Sequence, residues 1–234
     1  MGSQDKLVLY TNHFCPWAHR AHIALAELGI PYEEVIIDLS VPRTPEYLQI
    51  NPRGLVPSLS FNGEIITESA IVAQFLADQY PSHLVPPSNA PGGALRRARI
   101  SFFVDAYISK VNSVLFGLYG AKTEEDQKAV GDKAVAALVK EVEPLLVDAS
   151  PFFGGSDKLT LAEVLTGSFV LRLKALTAAN VYPKAIWTAI EEQAPKFAKW
   201  AEAVTAHPSV TSIWDEKSNI ERTIERLAKL RANA

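Results

Sequence analysis

Between Pro81 and Gly93 the chain reads Pro-Ser-His-Leu-Val-Pro-Pro-Ser-Asn-Ala-Pro-Gly-Gly, and neither a helix interior nor a central strand can be built through it. Each proline lacks the N–H that a helix or a ladder needs, and each biases the residue before it away from helical backbone. The seam therefore predicts two domains, residues 1–82 and 94–234, with 83–93 as the linker. The part before the seam mixes strand and helix patterns, and its only basic residues are Lys6, Arg20, Arg43 and Arg53. The part after it shows long helical patterns and almost no strand signal.

The first part parses as strand Lys6–Thr11, helix Pro16–Leu28, strand Glu33–Ile37, then an irregular stretch through Pro42 and Pro45. A hairpin follows: Ser58–Phe61, the turn Asn62-Gly63, and Glu64–Thr67. Asn-Gly between apolar runs favours a tight turn with both central residues at positive φ. A last helix runs from Glu68 to Tyr80. Two strands joined through a helix should be parallel with a right-handed crossover, and the hairpin should add an antiparallel pair. The expectation is a small mixed four-stranded sheet with helices on it. The second part predicts helices over Ala94–Tyr119, Thr123–Asp148, Leu161–Ala178, Pro183–Glu192 and Ala194–Ala206. A Glu/Lys/Arg-rich stretch, Glu216 to Arg231, reads as a solvated helix. Thr160-Leu161-Ala162-Glu163 has the form of a capping box, with Leu159 placed to staple onto Val164. It is read as a folding signal and no part of the chemistry.

Composition narrows the function classes. A net charge of −3 over 234 residues gives no reason to expect nucleic acid or an anionic membrane as partner. No apolar run is long enough to span a bilayer, and no charged-then-apolar leader opens the chain. Met1-Gly2 is followed by Lys6, where an acylation signal wants Ser or Thr. A single cysteine rules out an internal disulfide framework and fits a reducing compartment, so a cytoplasmic protein is expected.

That cysteine, Cys15, stands at the foot of the first helix in Phe14-Cys15-Pro16-Trp17-Ala18-His19-Arg20. Pro16 occupies the first turn, where its missing N–H costs nothing. The thiol thus meets free backbone N–H groups and the positive end of the helix, which favour an anion. Ala18 stands where a dithiol motif would carry its second cysteine. Disulfide chemistry at Cys15 must therefore borrow a thiol from outside the chain, passing through a mixed disulfide that an external thiol resolves.

Two further motifs point the same way. In Asn51-Pro52-Arg53-Gly54-Leu55-Val56-Pro57, a proline before what reads as an edge strand would leave the Val56 backbone free to pair with an extended, peptide-like ligand. In Thr67-Glu68-Ser69, Glu68 could pair with an ammonium while Ser69 and the helix N–H groups take a carboxylate. Taken alone, Glu68-Ser69 reads equally well as helix capping. Together the three motifs outline a site for a small thiol peptide with a free α-amino acid end.

On these residues the chain resembles the glutathione transferase superfamily: Val-Pro before the third strand, Glu-Ser after the fourth, and a helical second half. Phe14-Cys15-Pro16-Trp17-Ala18 looks most like the omega class, and Phe153-Gly154-Gly155 before the capping box is similar to that family's second domain. The resemblance implies an α+β thioredoxin-like N-terminal domain followed by an all-α C-terminal domain, with glutathione as co-substrate and no metal. It implies Cys15 as the catalytic residue, with Trp17, Arg43, Leu55, Val56, Pro57, Glu68 and Ser69 around glutathione. Pro57 would be in the cis form, and Arg43 or Arg53 would meet the glycyl carboxylate. The acceptor, a small electrophile or a disulfide, would sit between the halves against residues such as Arg172, Trp200, Tyr107, Phe116 and Tyr119. His19 is expected at the surface and Tyr10 is expected to pack. Relatives are usually homodimers. The reaction implied is glutathione-dependent thiol transfer. The rivals are isomerisation or reductive processing of a small electrophile, and a non-catalytic binding module.

Overall fold

The structure, a computed structural model, describes residues 5–233, so the Met1-Gly2 reading lies outside the described residues. The sheet has four strands in the order β2-β1-β3-β4. Strands β1 (Leu7–Thr11) and β2 (Glu33–Ile36) pair in parallel, with Val8 opposite Glu33 and Thr11 opposite Ile36. Strands β3 (Ser58–Phe61) and β4 (Glu64–Thr67) form the antiparallel hairpin, and β3 also pairs antiparallel with β1. The connecting turn has Asn62 at φ 52° and Gly63 at φ 94°, as the Asn-Gly pair requires.

Between β1 and β2 runs α1 (Pro16–Leu28), which ends where Gly29 takes φ 63° and its N–H returns to the Ala26 and Leu25 carbonyls. Its buried face meets Leu7, Leu9 and Leu59 of the sheet. On the same core lies α3 (Ser69–Gln79), through Val72, Ala73 and Leu76.

Two expectations for this half are corrected. The strand after Val56-Pro57 is interior, because β1 covers one side of β3 and β4 the other. The stretch expected to be irregular contains a short helix, α2 (Pro45–Ile50). Its proline sits at the first helical position, where it is tolerated, and the Thr44 hydroxyl caps the Tyr47 N–H at 3.3 Å.

The second half is helical. After the seam, α4 (Gly93–Asp105) continues through a π-helical turn (Ala106–Asn112) into α5 (Ser113–Leu115) and a 3₁₀ turn (Phe116–Tyr119). The sequence pattern anticipates this rod but not its change of pitch. Helix α6 (Glu124–Glu141) carries a Thr123/Asp126 capping box, and Pro144 turns the segment expected to extend it into a 3₁₀ turn, Glu143–Leu146. Helices α7 (Leu161–Ala178), α8 (Lys184–Gln193), α9 (Pro195–Ala206), α10 (Pro208–Thr211) and α11 (Glu216–Asn233) complete the chain.

Helix α7 is the axis of the molecule, buried on almost every side. The Thr160 cap is built as its sequence suggests. The Glu163 carboxylate accepts from the Thr160 N–H (2.8 Å) and hydroxyl (2.7 Å), the Phe153 N–H (2.8 Å) and the Trp200 indole N–H (2.7 Å). One apolar core runs from the sheet, through α1 and α7, to α9. Among the described residues no helix is long and apolar enough to cross a membrane.

Candidate active site

Cys15 is the N-cap of α1, with extended backbone at φ −82° and ψ 115° and no side-chain cap bond. Its N–H donates to the Asn12 carbonyl (3.0 Å), which turns the chain off β1 and onto the helix. The thiol is free and partly exposed, and its Sγ lies 4.0 Å from the Val56 carbonyl oxygen.

The segment that carries Val56 is held from behind by two side chains. The Tyr47 hydroxyl donates to the Leu55 carbonyl (2.5 Å), and the Asn51 amide donates to the same oxygen (2.9 Å) and to Ser58 Oγ (3.0 Å). Both residues are buried, so the platform is fixed from the α2 side. Leu55 projects outward, Val56 packs with Ala18 and Tyr47, and the Val56–Pro57 bond is cis. Tyr10 joins that packing, 5.8 Å from the Tyr47 ring, as expected. The Val56 N–H takes no partner among the described residues.

Glu68 caps α3 at φ 69° and ψ 117°, a backbone conformation that a residue with a side chain rarely adopts. Its carboxylate is paired with the Arg53 guanidinium. Arg53 therefore stands at the Glu68 end of the site. Arg43 lies at the other side of Gly54 and is largely spent on its own chain, donating to the Gly54 (3.0 Å), Asp38 (2.8 Å) and Val41 (2.5 Å) carbonyls. Ser69, the first residue of α3, is buried, and its Oγ accepts from Arg20 Nη1 at 3.1 Å.

Arg20 is the residue that the sequence pattern hides. It occupies a buried face of α1, donates through Nε to the Leu165 carbonyl of α7 (2.7 Å), and lies 4.6 Å from the Trp17 ring centre. Burial pulls it down to about 9, while the charge of nearby Cys15 acts the other way. It remains a cation at neutral pH. Arg172, on α7, is its counterpart across the cleft. Burial lowers it to about 10, again against the charge of Cys15. It donates to the His13 (3.3 Å) and Ser168 (3.0 Å) carbonyls and to His19 Nδ1 (3.0 Å). Two buried or half-buried cations thus flank the thiol, beyond the field of the helix end.

His19 is corrected. Its side chain is fully buried against α7, and burial first, then Arg172, holds its pKa well below the usual histidine range. It is neutral and gives the thiol no charge. His13, His22 and Glu34 bring three metal-capable atoms within 4.8 Å of one another. All three are already engaged: His13 with Glu34 (2.7 Å), and His22 with Thr11 (2.8 Å) and Tyr32 (2.9 Å).

A cavity of about 770 Å³ opens beside Cys15, between the sheet end and the helical half. Trp17, Arg172, Phe116 and Tyr119 line it. Trp200 and Tyr107 do not: Trp200 is in the core with its indole on Glu163, and Tyr107 stacks on Phe197. Aromatics at helical spacing fill whichever face is buried, and here that face is inward. The stretch expected to be a solvated helix instead supplies a cavity wall. Helix α11 buries Leu227 and Asn219 and brings Arg222, Arg226 and Lys229 to the opening. Spacing alone could have flagged it, since Ile220, Ile224 and Leu227 recur at one helical face.

Comparison with known proteins agrees with this architecture. Residues 14–79 match the family "Glutathione S-transferase, N-terminal domain". Glutathione S-transferase omega-1 of Rattus norvegicus is 28% identical over 211 residues, spanning 89% of this chain and 80% of that protein. A probable glutathione S-transferase of Oryza sativa subsp. japonica, GSTU1, is 29% identical over 92% of this chain and 95% of its own length. Among solved structures, glutathione transferase Omega 1C from Trametes versicolor superposes with a TM-score of 0.82 at 25% identity, covering 97% of this chain and 98% of that one. Rice GST1, solved in complex with glutathione, gives 0.81 at 26% identity over 97% and 99% of the two chains. Fold, domain match and likeness over most of the length agree: residues 14–79 match the glutathione S-transferase N-terminal domain, and the chain is similar to glutathione transferases, those of the omega class among them.

Proposed function

We propose that this chain is a glutathione transferase of omega type that works as a glutathione-dependent thiol transferase. The observation that carries the reading is Cys15: a lone, partly exposed thiol at a helix N-terminus, on the wall of a cavity that Arg172 also lines. The thiolate is the form that attacks disulfides, and a partly exposed thiol at the cavity mouth is placed to meet one.

On this reading glutathione lies along the Val56 backbone, its cysteinyl N–H and C=O meeting the Val56 C=O and N–H as an added strand would. Its γ-glutamyl ammonium replaces Arg53 at Glu68, and its carboxylate takes Ser69, whose hydroxyl Arg20 already orients. Leu55 and Pro57 border the cysteinyl portion, and Trp17 floors the thiol end. Arg43 is the candidate for the glycyl carboxylate. The Cys15 thiolate attacks the glutathionyl sulfur of a mixed disulfide, that S–S bond breaks, and the acceptor leaves as a thiolate that takes up a proton. A second glutathione thiolate then attacks the Cys15–glutathione disulfide, restoring Cys15 and leaving oxidised glutathione. The site needs no metal for these steps. A cytoplasmic location suits them, because glutathione there is kept reduced.

The test is a mass spectrum of the chain after incubation with oxidised glutathione, with proteolysis to locate the adduct. One glutathionyl group on Cys15, discharged by reduced glutathione, is expected. Cys15→Ser should take no adduct and lose disulfide exchange by a factor of 100 or more, taking about 10²–10⁴ as typical of a lost catalytic group. Undiminished exchange in that variant would end this reading.

A further inference from the structure

The charge of the cavity wall distinguishes among acceptors. The cavity is lined by four cations, Arg172, Arg222, Arg226 and Lys229, against two carboxylates, Asp38 and Glu225. None of the four is in an ion pair with a carboxylate among the described residues. Three of the four, Arg222, Arg226 and Lys229, come from α11.

Their geometry also suits a ligand. Arg222 Cζ lies 3.6 Å from the Phe14 ring centre, and Arg226 Cζ lies 5.0 Å from that of Tyr119. A guanidinium over a ring uses its flat face there and keeps its in-plane N–H edge for a planar anion. Deeper in, Asn112 is buried on the cavity wall, and its side-chain amide nitrogen has no partner among the described residues. It belongs to the π-helical turn of the first rod. The apolar part of the wall mixes leucines with aromatic rings: Trp17 and Phe169 meet edge to face at 4.6 Å, and Phe116 and Tyr119 also line the cavity.

We infer that the acceptor is a small aromatic molecule carrying a carboxylate or a comparable anion, its ring among Trp17, Phe169 and Tyr119 and its charge toward Arg222 and Arg226. This deepens the reading of the site as a glutathione site and rests on it. An anionic acceptor must approach a thiolate, and the surplus of positive charge removes the repulsion that would otherwise oppose it. A neutral acceptor would gain nothing from exposed arginines, and a cationic one would be repelled.

The test uses a matched pair: (4-methylsulfanylphenyl)acetate and its methyl ester, which are inert thioethers of nearly the same shape. Calorimetry on the intact chain should show the carboxylate bound about tenfold more tightly than the ester, a modest figure because the α11 cations are exposed and screened. The ratio should fall toward one in 0.5 M salt, and in the double variant Arg222→Gln/Arg226→Gln. Equal or weaker binding of the carboxylate by the native chain would overturn the inference, as would a tenfold preference untouched by both salt and the double variant. The thioethers cannot react, so this result stands apart from the exchange chemistry. Absence of the Cys15 adduct would count against thiol transfer, and loss of the charge preference against the anionic acceptor.

Discussion

Glu68 holds backbone angles that cost a residue with a side chain about 1–3 kcal/mol. A glycine would adopt them without that strain. Glu68→Gly should therefore be more stable than Glu68→Ala by about 1 kcal/mol, or about 2–4 °C in Tm for a chain of this size. Both variants lose the carboxylate, and both should raise the Kd for glutathione by about tenfold or more, as expected when a charge-assisted contact of about 1.5–3 kcal/mol disappears. Thermal melts and calorimetry on the two variants separate the strain from the chemistry. If alanine proves as stable as glycine, the strained cap is wrong; if glutathione binding is unmoved, Glu68 is only a cap. Arg20 is the second residue to test. Arg20→Met keeps the stem against Trp17 but leaves the Leu165 carbonyl and the Ser69 hydroxyl without their donor. Its expected cost is about 2–4 kcal/mol for two lost bonds to a charged group, together with a weaker grip on glutathione. Denaturant unfolding and glutathione titration read the two effects.

At the scale of elements, α1 and α7 form the joint of the molecule. Arg20 reaches the Leu165 carbonyl, the Ser168 hydroxyl donates to the Pro16 carbonyl at 2.8 Å, and Arg172 reaches back to His13 and His19. The histidines on α1 are buried in this joint and near the sheet. Burial, then His13, pulls His22 down to about 3, and burial acts on His19 in the same direction. An unfolded chain binds protons at both histidines below about pH 6.5, while the native chain resists them. Stability is thus complete above about pH 6.5 and should fall as the pH drops toward 5, by at most about 1.4 kcal/mol per pH unit for each histidine. Urea midpoints between pH 7 and 5 check this, and His22→Gln should flatten the slope. At the N-terminal end of α7, Glu163→Ala strips four donors of their acceptor at once. We expect a loss of about 3 kcal/mol or more, seen as a Tm lower by about 6–12 °C.

For the whole molecule, the expectation of a homodimer finds support in large apolar side chains left in water on consecutive elements. Ile71 of α3, Leu95 and Phe102 of α4, and Ile65 of β4 are all exposed, and Arg97–Asp78 ties α3 to α4. Such an exposed group suits an interface. Sedimentation should show a dimer, and Phe102→Glu should shift it toward monomer while the Cys15 adduct still forms. A wild-type chain that sediments as a monomer at micromolar concentration would remove this expectation.

Local chemistry in the chain was enough to determine most of its elements. Asn62-Gly63, Pro16 ahead of an apolar stripe and the Thr160 box each act over a few residues, so turn, helix start and cap are all legible. The Cys15, Val56 and Glu68-Ser69 motifs are legible for the same reason. The tertiary structure decided what depends on facing. Which side of α1 is buried put His19 and Arg20 inside; which aromatic stripe points inward took Trp200 and Tyr107 out of the cavity; and a charged helix far along the chain became a wall of the site. Periodicity shows that a helix has two faces, but burial free energy assigns them only once every element has a neighbour.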